Sequence, residues 1–214
     1  MHSSLIGASL TIDRALHDTT IGNRLLNLAQ RRKSIPCYFE KRTRGLLIGF
    51  PRSGNTFASR LMKSVFPEIH LVTHLHSVSA CRTAMSLNHP IIFIRRDKSE
   101  AISSLIAKKY SQAPDSDLYV HIYNRRYNAL YHFASEHGFP VFDFSELTEC
   151  PERFLTAMSE IFDRPLPPDV SPFIENARTS LFSDKRSAEV ATYPNEKKEK
   201  LKAEIIGQYG WILR

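Results

Sequence analysis

The sequence has little cysteine and no long apolar run, and both absences exclude whole classes of protein. Its 3 cysteines are far apart in 214 residues, and none forms a CxxC pair. This excludes a disulfide framework and a zinc site built on paired cysteines, and scattered thiols are typical of a reducing compartment. We therefore expect a cytoplasmic protein. Because no run of about 18 apolar residues is present, we also expect no integral membrane segment.

Acidic residues are too few to balance the basic ones. Lys and Arg total 29 against 22 Asp and Glu, which gives a formal net charge of +7. A charge of this sign favours an anionic partner, such as a nucleic acid, a phosphorylated small molecule, an acidic polymer or a membrane surface. The hydrophobic fraction of 42% is too high for a disordered chain and is typical of a globular domain.

Short apolar runs alternate with segments of helical periodicity. Leu46–Ile48 and Ile91–Ile94 have the length and composition of buried parallel strands, and Val141–Phe144 is a further candidate. Helices are predicted after these strands, with the longest at Leu118–Glu136. The alternation predicts an α/β fold, a three-layer α/β/α domain with a mostly parallel central sheet. Residues 1–44 lack the pattern and are assigned to an N-terminal extension that packs on a core domain of residues 45–214.

The segment Gly49–Thr56 lies between the first strand candidate and the helix that follows. Its spacing, G-x-x-x-x-G-x-T, is that of a P-loop, in which backbone N–H groups and a helix N-terminus face a phosphate. Position 55 is Asn, where a P-loop triphosphatase has Lys, and the positive charge of the loop is at Arg52. The strand Ile91–Ile94 ends in two arginines, which bind phosphate and cannot ligate a cation. We therefore expect a phosphate ester bound without a metal.

This loop resembles that of a known family. Phe50–Phe57 reads Phe-Pro-Arg-Ser-Gly-Asn-Thr-Phe and is similar to the 5′-phosphosulfate loop of sulfotransferases that use 3′-phosphoadenosine-5′-phosphosulfate (PAPS). The resemblance implies a P-loop-like nucleotide fold and a basic residue, Arg52, on the transferring sulfonate. It also implies that the following residues hold the 5′-phosphate and adenine: Ser53, Gly54, Asn55 and Thr56 for the phosphate, and Phe57 for adenine.

A second segment resembles the part of the same family that binds the 3′-phosphate. Ile91–Leu105 contains an apolar strand, an Arg, and a Ser eight residues further on. Arg96 and Ser104 take these positions, and a register one residue earlier would pair Arg95 with Ser103. Two weaker similarities extend the comparison towards the C-terminus. They imply Phe144 near adenine and a basic loop over the 3′-phosphate, at Lys185 and Arg186.

The candidate catalytic base lies between the two phosphate motifs. Val72-Thr73-His74-Leu75 resembles the Lys-Thr-His-Leu segment of cytosolic sulfotransferases, whose His takes the proton of the acceptor. The resemblance implies that His74 is the base, and a neutral imidazole is a suitable proton acceptor near pH 7. The family's Lys is replaced by Val72, and the Pro that follows the family's Leu is replaced by His76.

The expected function is therefore in-line transfer of sulfonate from PAPS to a hydroxyl or amine of a small-molecule or glycan acceptor, without a metal. One alternative is a P-loop phosphotransferase related to nucleotide kinases, although Asn55 and the absence of an acid after Ile94 count against it. Another is a protein of the same fold that binds the nucleotide and transfers nothing. No basic motif is interleaved with aromatic residues, so we expect no nucleic-acid partner.

Overall fold

A computed structural model describes residues 39–109, 118–183 and 195–214. Within these ranges the strands are β1 (Thr43–Ile48), β2 (His70–Val72), β3 (Ile91–Arg95) and β4 (Val141–Asp143). The helices are α1 (Asn55–Val65), α2 (Val78–Ser86), α3 (Lys98–Lys109), α4 (Leu118–Glu136), α5 (Phe144–Glu149), α6 (Pro151–Phe162), α7 (Ser171–Ser183) and α8 (Asn195–Leu213). Most of the predicted N-terminal extension lies outside the described residues.

The four strands form one parallel sheet with the order β2-β1-β3-β4. β1 pairs with both β2 and β3, and Leu46 is opposite Val72 on one side and Ile91 on the other. The chain therefore leaves β1 for a neighbour on one side and then returns to a neighbour on the opposite side. In open parallel sheets, such a reversal leaves a crevice at the carboxyl ends of the two strands, where ligands bind. Here the crevice lies between β1 and β3.

Alternate residues of the strands enter two separate cores. Leu46 and Ile48 pack in a cluster with residues of α2, α3, α4 and α8, whereas Leu47 and Ile92 pack with residues of α1, α6 and α7. All four side chains are fully buried. Helices therefore cover both faces of the sheet, which explains why the central strands are apolar throughout. The predicted three-layer α/β/α fold is confirmed.

The observed elements follow the predicted ones closely, with informative exceptions. α4 has the predicted bounds. β1, in contrast, begins at Thr43, before the domain boundary predicted at residue 45, and Thr43 pairs with His70 of β2. α7 was not predicted, and it begins at Ser171, at the end of a proline-rich stretch. Proline at the start of a helix costs no hydrogen bond, so Pro172 is compatible with it. None of the described helices combines the length and apolar character needed to cross a membrane.

Candidate functional site

The carboxyl ends of the four strands bring together residues that are distant in the sequence. β1 leads into the loop Gly49–Gly54, β2 is followed by His74, β3 by Arg96 and β4 by Phe144. Arg96 Nη1 donates a hydrogen bond to the backbone carbonyl of Arg52 at 3.4 Å. The two predicted anion-binding arginines therefore lie side by side at the β1–β3 crevice.

The loop between β1 and α1 depends on Gly54. This residue caps α1 in the left-handed conformation, with φ of 91°. A Cβ atom placed on it would lie 2.5 Å from Cδ2 of Phe144, closer than two carbon atoms can approach. The first backbone N–H groups of α1, which begins at Asn55, have no acceptor within the helix and can bind an anion. Phe144 therefore packs directly against the loop.

We predict that Gly54→Ala destabilises the protein more than Gly138→Ala does. Gly138 also has a positive φ, 63°, but nothing lies within 4 Å of a Cβ placed there. Gly138→Ala should therefore cost only the backbone strain, about 1–2 kcal/mol. Gly54→Ala adds a steric clash with Phe144, which should cost at least about 1 kcal/mol more. Urea unfolding of both variants measures the difference, and equal losses would show that the Phe144 contact does not constrain the loop.

Two side chains of the predicted 5′-phosphate group support the loop from inside. Asn55 is 4% exposed, and its Nδ2 donates to the carbonyls of Gly49 at 3.3 Å and Phe50 at 3.2 Å. Ser53 is fully buried, and its backbone N–H donates to the carbonyl of Phe50. The side chain of Thr56, in contrast, is exposed in the first turn of α1. The loop can therefore offer backbone N–H groups and Thr56, while Asn55 fixes its shape.

Tyrosines of α4 hold the loop after β1 and the end of β3, a role that was not predicted for them. The hydroxyl of Tyr131 accepts the backbone N–H of Phe50 at 3.1 Å and donates to the carbonyl of Ile94 at 2.6 Å. Tyr127, one helical turn earlier, donates to the carbonyl of Arg96 at 2.5 Å. The tyrosine spacing along α4 was visible in the sequence, but only the fold places these hydroxyls under the loop and the end of β3.

Arg52 and Arg96 are each held by further contacts. Arg52 Nε donates to Oγ of Ser104, a residue that is 1% exposed, at 3.2 Å. Arg96 Nη2 lies 3.1 Å from Oε2 of Glu100, and its guanidinium is stacked over the ring of Phe144 at 5.0 Å from the centroid. Burial, and then the charge of Arg96, lowers the pKa of Arg52. Two adjacent guanidiniums repel each other, and an anion between them relieves that repulsion.

Arg95 and Ser103, the pair of the alternative register, have other hydrogen-bond partners. Arg95 forms a two-point ion pair with Asp143, with distances of 2.7 and 3.0 Å. The hydroxyl of Ser103 donates to the carbonyl of Glu100 within α3. Arg96 and Ser104 are therefore the pair that the fold brings to Arg52.

His74 and His76 flank the phosphate loop on the side of β2. His74 has a left-handed backbone with φ of 63°, and burial lowers the pKa of its imidazole. His76 Nδ1 lies 2.5 Å from the carbonyl of Gly49, so Nδ1 must carry the proton and donate it. The rings of the two histidines are 6.3 Å apart. Burial thus favours the neutral form of the His74 imidazole, which follows β2, on the opposite side of β1 from β3.

The remaining predicted residues divide into three groups. Phe57 is 5% exposed and packs in the core with Leu47, so its ring supports the fold and does not line the crevice. Phe144 lies between Gly54 and Arg96 and is half-buried. Lys185 and Arg186 lie outside the described residues.

The C-terminal helix α8 contributes two lysines that the sequence did not identify. Lys202 Nζ lies 3.1 Å from Oε2 of Glu100 and 2.8 Å from Oε2 of Glu199. Lys198 is one turn earlier and half-buried. The ion pair between Lys202 and Glu100 connects α8 to Arg96, because Glu100 also binds Arg96. A helical spacing of lysines could have suggested a common face, but not the contact with α3.

No protein-family model matches this chain, and a search of curated proteins finds no match. Across the described ranges, no group of three or more His, Cys, Asp or Glu side chains could hold a metal ion. The arrangement of Arg52, Arg96, Ser104 and the N-terminus of α1 can bind a multiply charged anion. His74, as a neutral imidazole, can accept a proton.

Proposed function

We propose that this protein is a sulfotransferase that moves the sulfonate group of PAPS to a hydroxyl or amine of a small-molecule or glycan acceptor. The observation that carries the proposal is the pair Arg52 and Arg96 at the crevice between β1 and β3. Charge of this density favours an anion with more than one negative group. PAPS has anionic groups at both ends of its ribose, a 5′-phosphosulfate and a 3′-phosphate.

The residues divide between these two ends. On the 5′ side, the backbone of the loop and the N-terminus of α1 bind the phosphate, and Arg52 contacts the sulfonate. On the 3′ side, Arg96 and Ser104 bind the phosphate, which competes with Glu100 for the guanidinium of Arg96. The half-buried ring of Phe144 lies against the guanidinium of Arg96. We assign the contact with adenine to this ring.

His74 supplies the proton transfer that the reaction needs. Because burial lowers its pKa, the imidazole is neutral at pH 7 and can take the proton of the acceptor hydroxyl. The acceptor oxygen then forms a bond to sulfur while the bond between sulfur and the 5′-phosphate oxygen breaks, and its electron pair stays on that phosphate. Arg52 stabilises the charge that develops there. The products are a sulfate ester, or a sulfamate from an amine, and 3′,5′-bisphosphoadenosine.

Two contacts weigh against a kinase-like phosphotransferase. The side chain of Asn55 is committed to the loop carbonyls, so position 55 provides no charge for a γ-phosphate. The acid at the end of β4, Asp143, is held by Arg95.

We also propose a cytoplasmic location. The free thiols of Cys81 and Cys150 support it, because such thiols persist in a reducing compartment.

Calorimetric titration tests the proposed function. We expect 3′,5′-bisphosphoadenosine to bind without magnesium, and at least about tenfold more tightly than ATP with magnesium. Only the bisphosphate has a 3′-phosphate, which is the group that Arg96 binds. Preference for ATP with magnesium would instead support the kinase alternative. Incubation with radiolabelled PAPS and a panel of acceptors then separates a sulfotransferase from a protein that only binds the nucleotide.

A further inference from the structure

A cavity at the amino ends of the strands lies at the edge of the sheet opposite the phosphate loop. Arg44 is the second residue of β1, and Ile69 and Pro90 directly precede β2 and β3. All three line this cavity, which has a volume of about 420 Å³ and which we call the amino-end cavity. Successive residues of a strand are about 3.3 Å apart, so roughly 15 Å of β1 separates the amino-end cavity from the phosphate loop. The cavity is therefore distinct from the candidate site.

The floor of the amino-end cavity is apolar and rests on β1. Its apolar lining residues are Ile69, Pro90, Ile161 and Phe162. The ring of Phe162 packs against β1 at Gly45, where a Cβ atom would lie 3.1 Å from Cζ of the ring. The carbonyl of Pro90 accepts the backbone N–H of Leu46 at 2.9 Å. The floor is therefore preformed, and the cavity has the size and apolar character of a small-molecule pocket.

The wall of the amino-end cavity has a surplus of positive charge. Its charged residues are Arg44, Glu68 and Arg164. Arg164 Nε lies 3.8 Å from Oε1 of Glu68, and Arg164 Nη1 donates to the carbonyl of Asp163 at 3.0 Å. A guanidinium has five N–H groups, so Arg164 keeps donors for a ligand. Arg44 forms no ion pair with any residue that the structure describes. One positive charge of the wall is therefore uncompensated, above an apolar floor.

We propose that the amino-end cavity is a second ligand site, which binds a small aromatic molecule carrying a single anionic group such as a carboxylate or sulfonate. The aromatic body packs against Ile161 and Phe162, and the anionic group accepts hydrogen bonds from Arg44 and Arg164. The carboxylate of Glu68 repels any further negative charge, which selects against nucleotides. The inference is independent of the proposed function, because the two sites share no residue.

Fluorescence titration with 8-anilinonaphthalene-1-sulfonate tests the inference, because this probe joins an aromatic body to a single sulfonate. The wild type should bind it at a saturable site. Arg44→Gln should weaken this binding at least about fivefold, because it removes a charge-assisted hydrogen bond, and Glu68→Gln should tighten it at least about twofold. Arg42→Gln is the matched control, since Arg42 is exposed and paired with Glu40, and it should change the affinity by less than about twofold.

The neutral analogue N-phenyl-1-naphthylamine separates this site from adsorption to exposed apolar surface. It lacks the sulfonate, so its affinity should be the same for the wild type, Arg44→Gln and Glu68→Gln. The inference is wrong if the wild type shows no saturable binding of the sulfonated probe, or if Arg44→Gln binds that probe as tightly as the wild type does. Loss of the probe from Arg96→Met would place it in the crevice between β1 and β3 and would also overturn the inference. None of these results depends on whether the protein binds PAPS.

Discussion

Arg96→Met should weaken the binding of 3′,5′-bisphosphoadenosine by about a hundredfold and that of adenosine 5′-monophosphate by less than about threefold. Hydrogen bonds to a charged partner contribute about 1.5–3 kcal/mol each, and 1.4 kcal/mol corresponds to a factor of ten in affinity. Methionine keeps the apolar contact with Phe144 and removes only the guanidinium. Calorimetric titration of both ligands measures the two losses separately.

Arg95→Met is the matched control for this prediction. Arg95 precedes Arg96 directly, has 47% of its side chain exposed and is already bound to Asp143. Its loss should change the affinity of neither ligand by more than about threefold, because surface ion pairs contribute little. A larger loss from Arg95→Met than from Arg96→Met would instead favour the register that pairs Arg95 with Ser103. Ser104→Ala and Ser103→Ala extend the comparison to the second position of each pair.

His74→Asn should lower the rate of sulfonate transfer by a factor of about 10²–10⁴, while the dissociation constant of 3′,5′-bisphosphoadenosine stays within about threefold. Asparagine is the suitable replacement because His74 has a left-handed backbone, which asparagine tolerates better than alanine. The variant therefore removes the base without straining the loop. His70→Asn, at an exposed position at the start of β2, serves as the control. Unchanged turnover in His74→Asn would exclude His74 from the mechanism.

The dependence of the rate on pH provides a second measurement on His74. Only the neutral imidazole accepts a proton, and burial lowers its pKa from the usual 6.5. The rate of the wild type should therefore decline as the pH falls, with a midpoint below pH 6.5. The residual rate of His74→Asn should lack this decline. A midpoint above pH 6.5 in the wild type would contradict a buried, neutral base.

The fold was predictable because its signals are local. A parallel strand buried on both faces needs a short apolar run, and Ile91–Ile94 has one, bounded by Pro90 and Arg95. The loop after β1 was also predictable from the sequence, since backbone geometry requires its glycines at a fixed spacing. The helix α7 was not predictable from the sequence, because the prolines near its start are compatible with both a loop and a helix start.

The site was predictable only where its residues follow strands directly. Arg52, His74 and Arg96 each follow a different strand, and parallel strands bring their carboxyl ends to one edge. Side-chain direction was not predictable from spacing. Asn55 has the expected position, but its amide points into the loop. The contacts of Tyr131 and Lys202 depend on how α4 and α8 pack against the sheet and α3, and no local pattern contains that information.

Two tyrosine hydroxyls of α4, those of Tyr127 and Tyr131, connect the loop after β1 to the end of β3. Tyr131 links the loop after β1 to the carbonyl of Ile94 on β3, and Tyr127 anchors the residue after that strand. The backbone segments that carry Arg52 and Arg96 are consequently both held by α4. Under the proposed function, the spacing between the two anion sites is therefore set before binding, and the nucleotide is selected by the length between its charged groups.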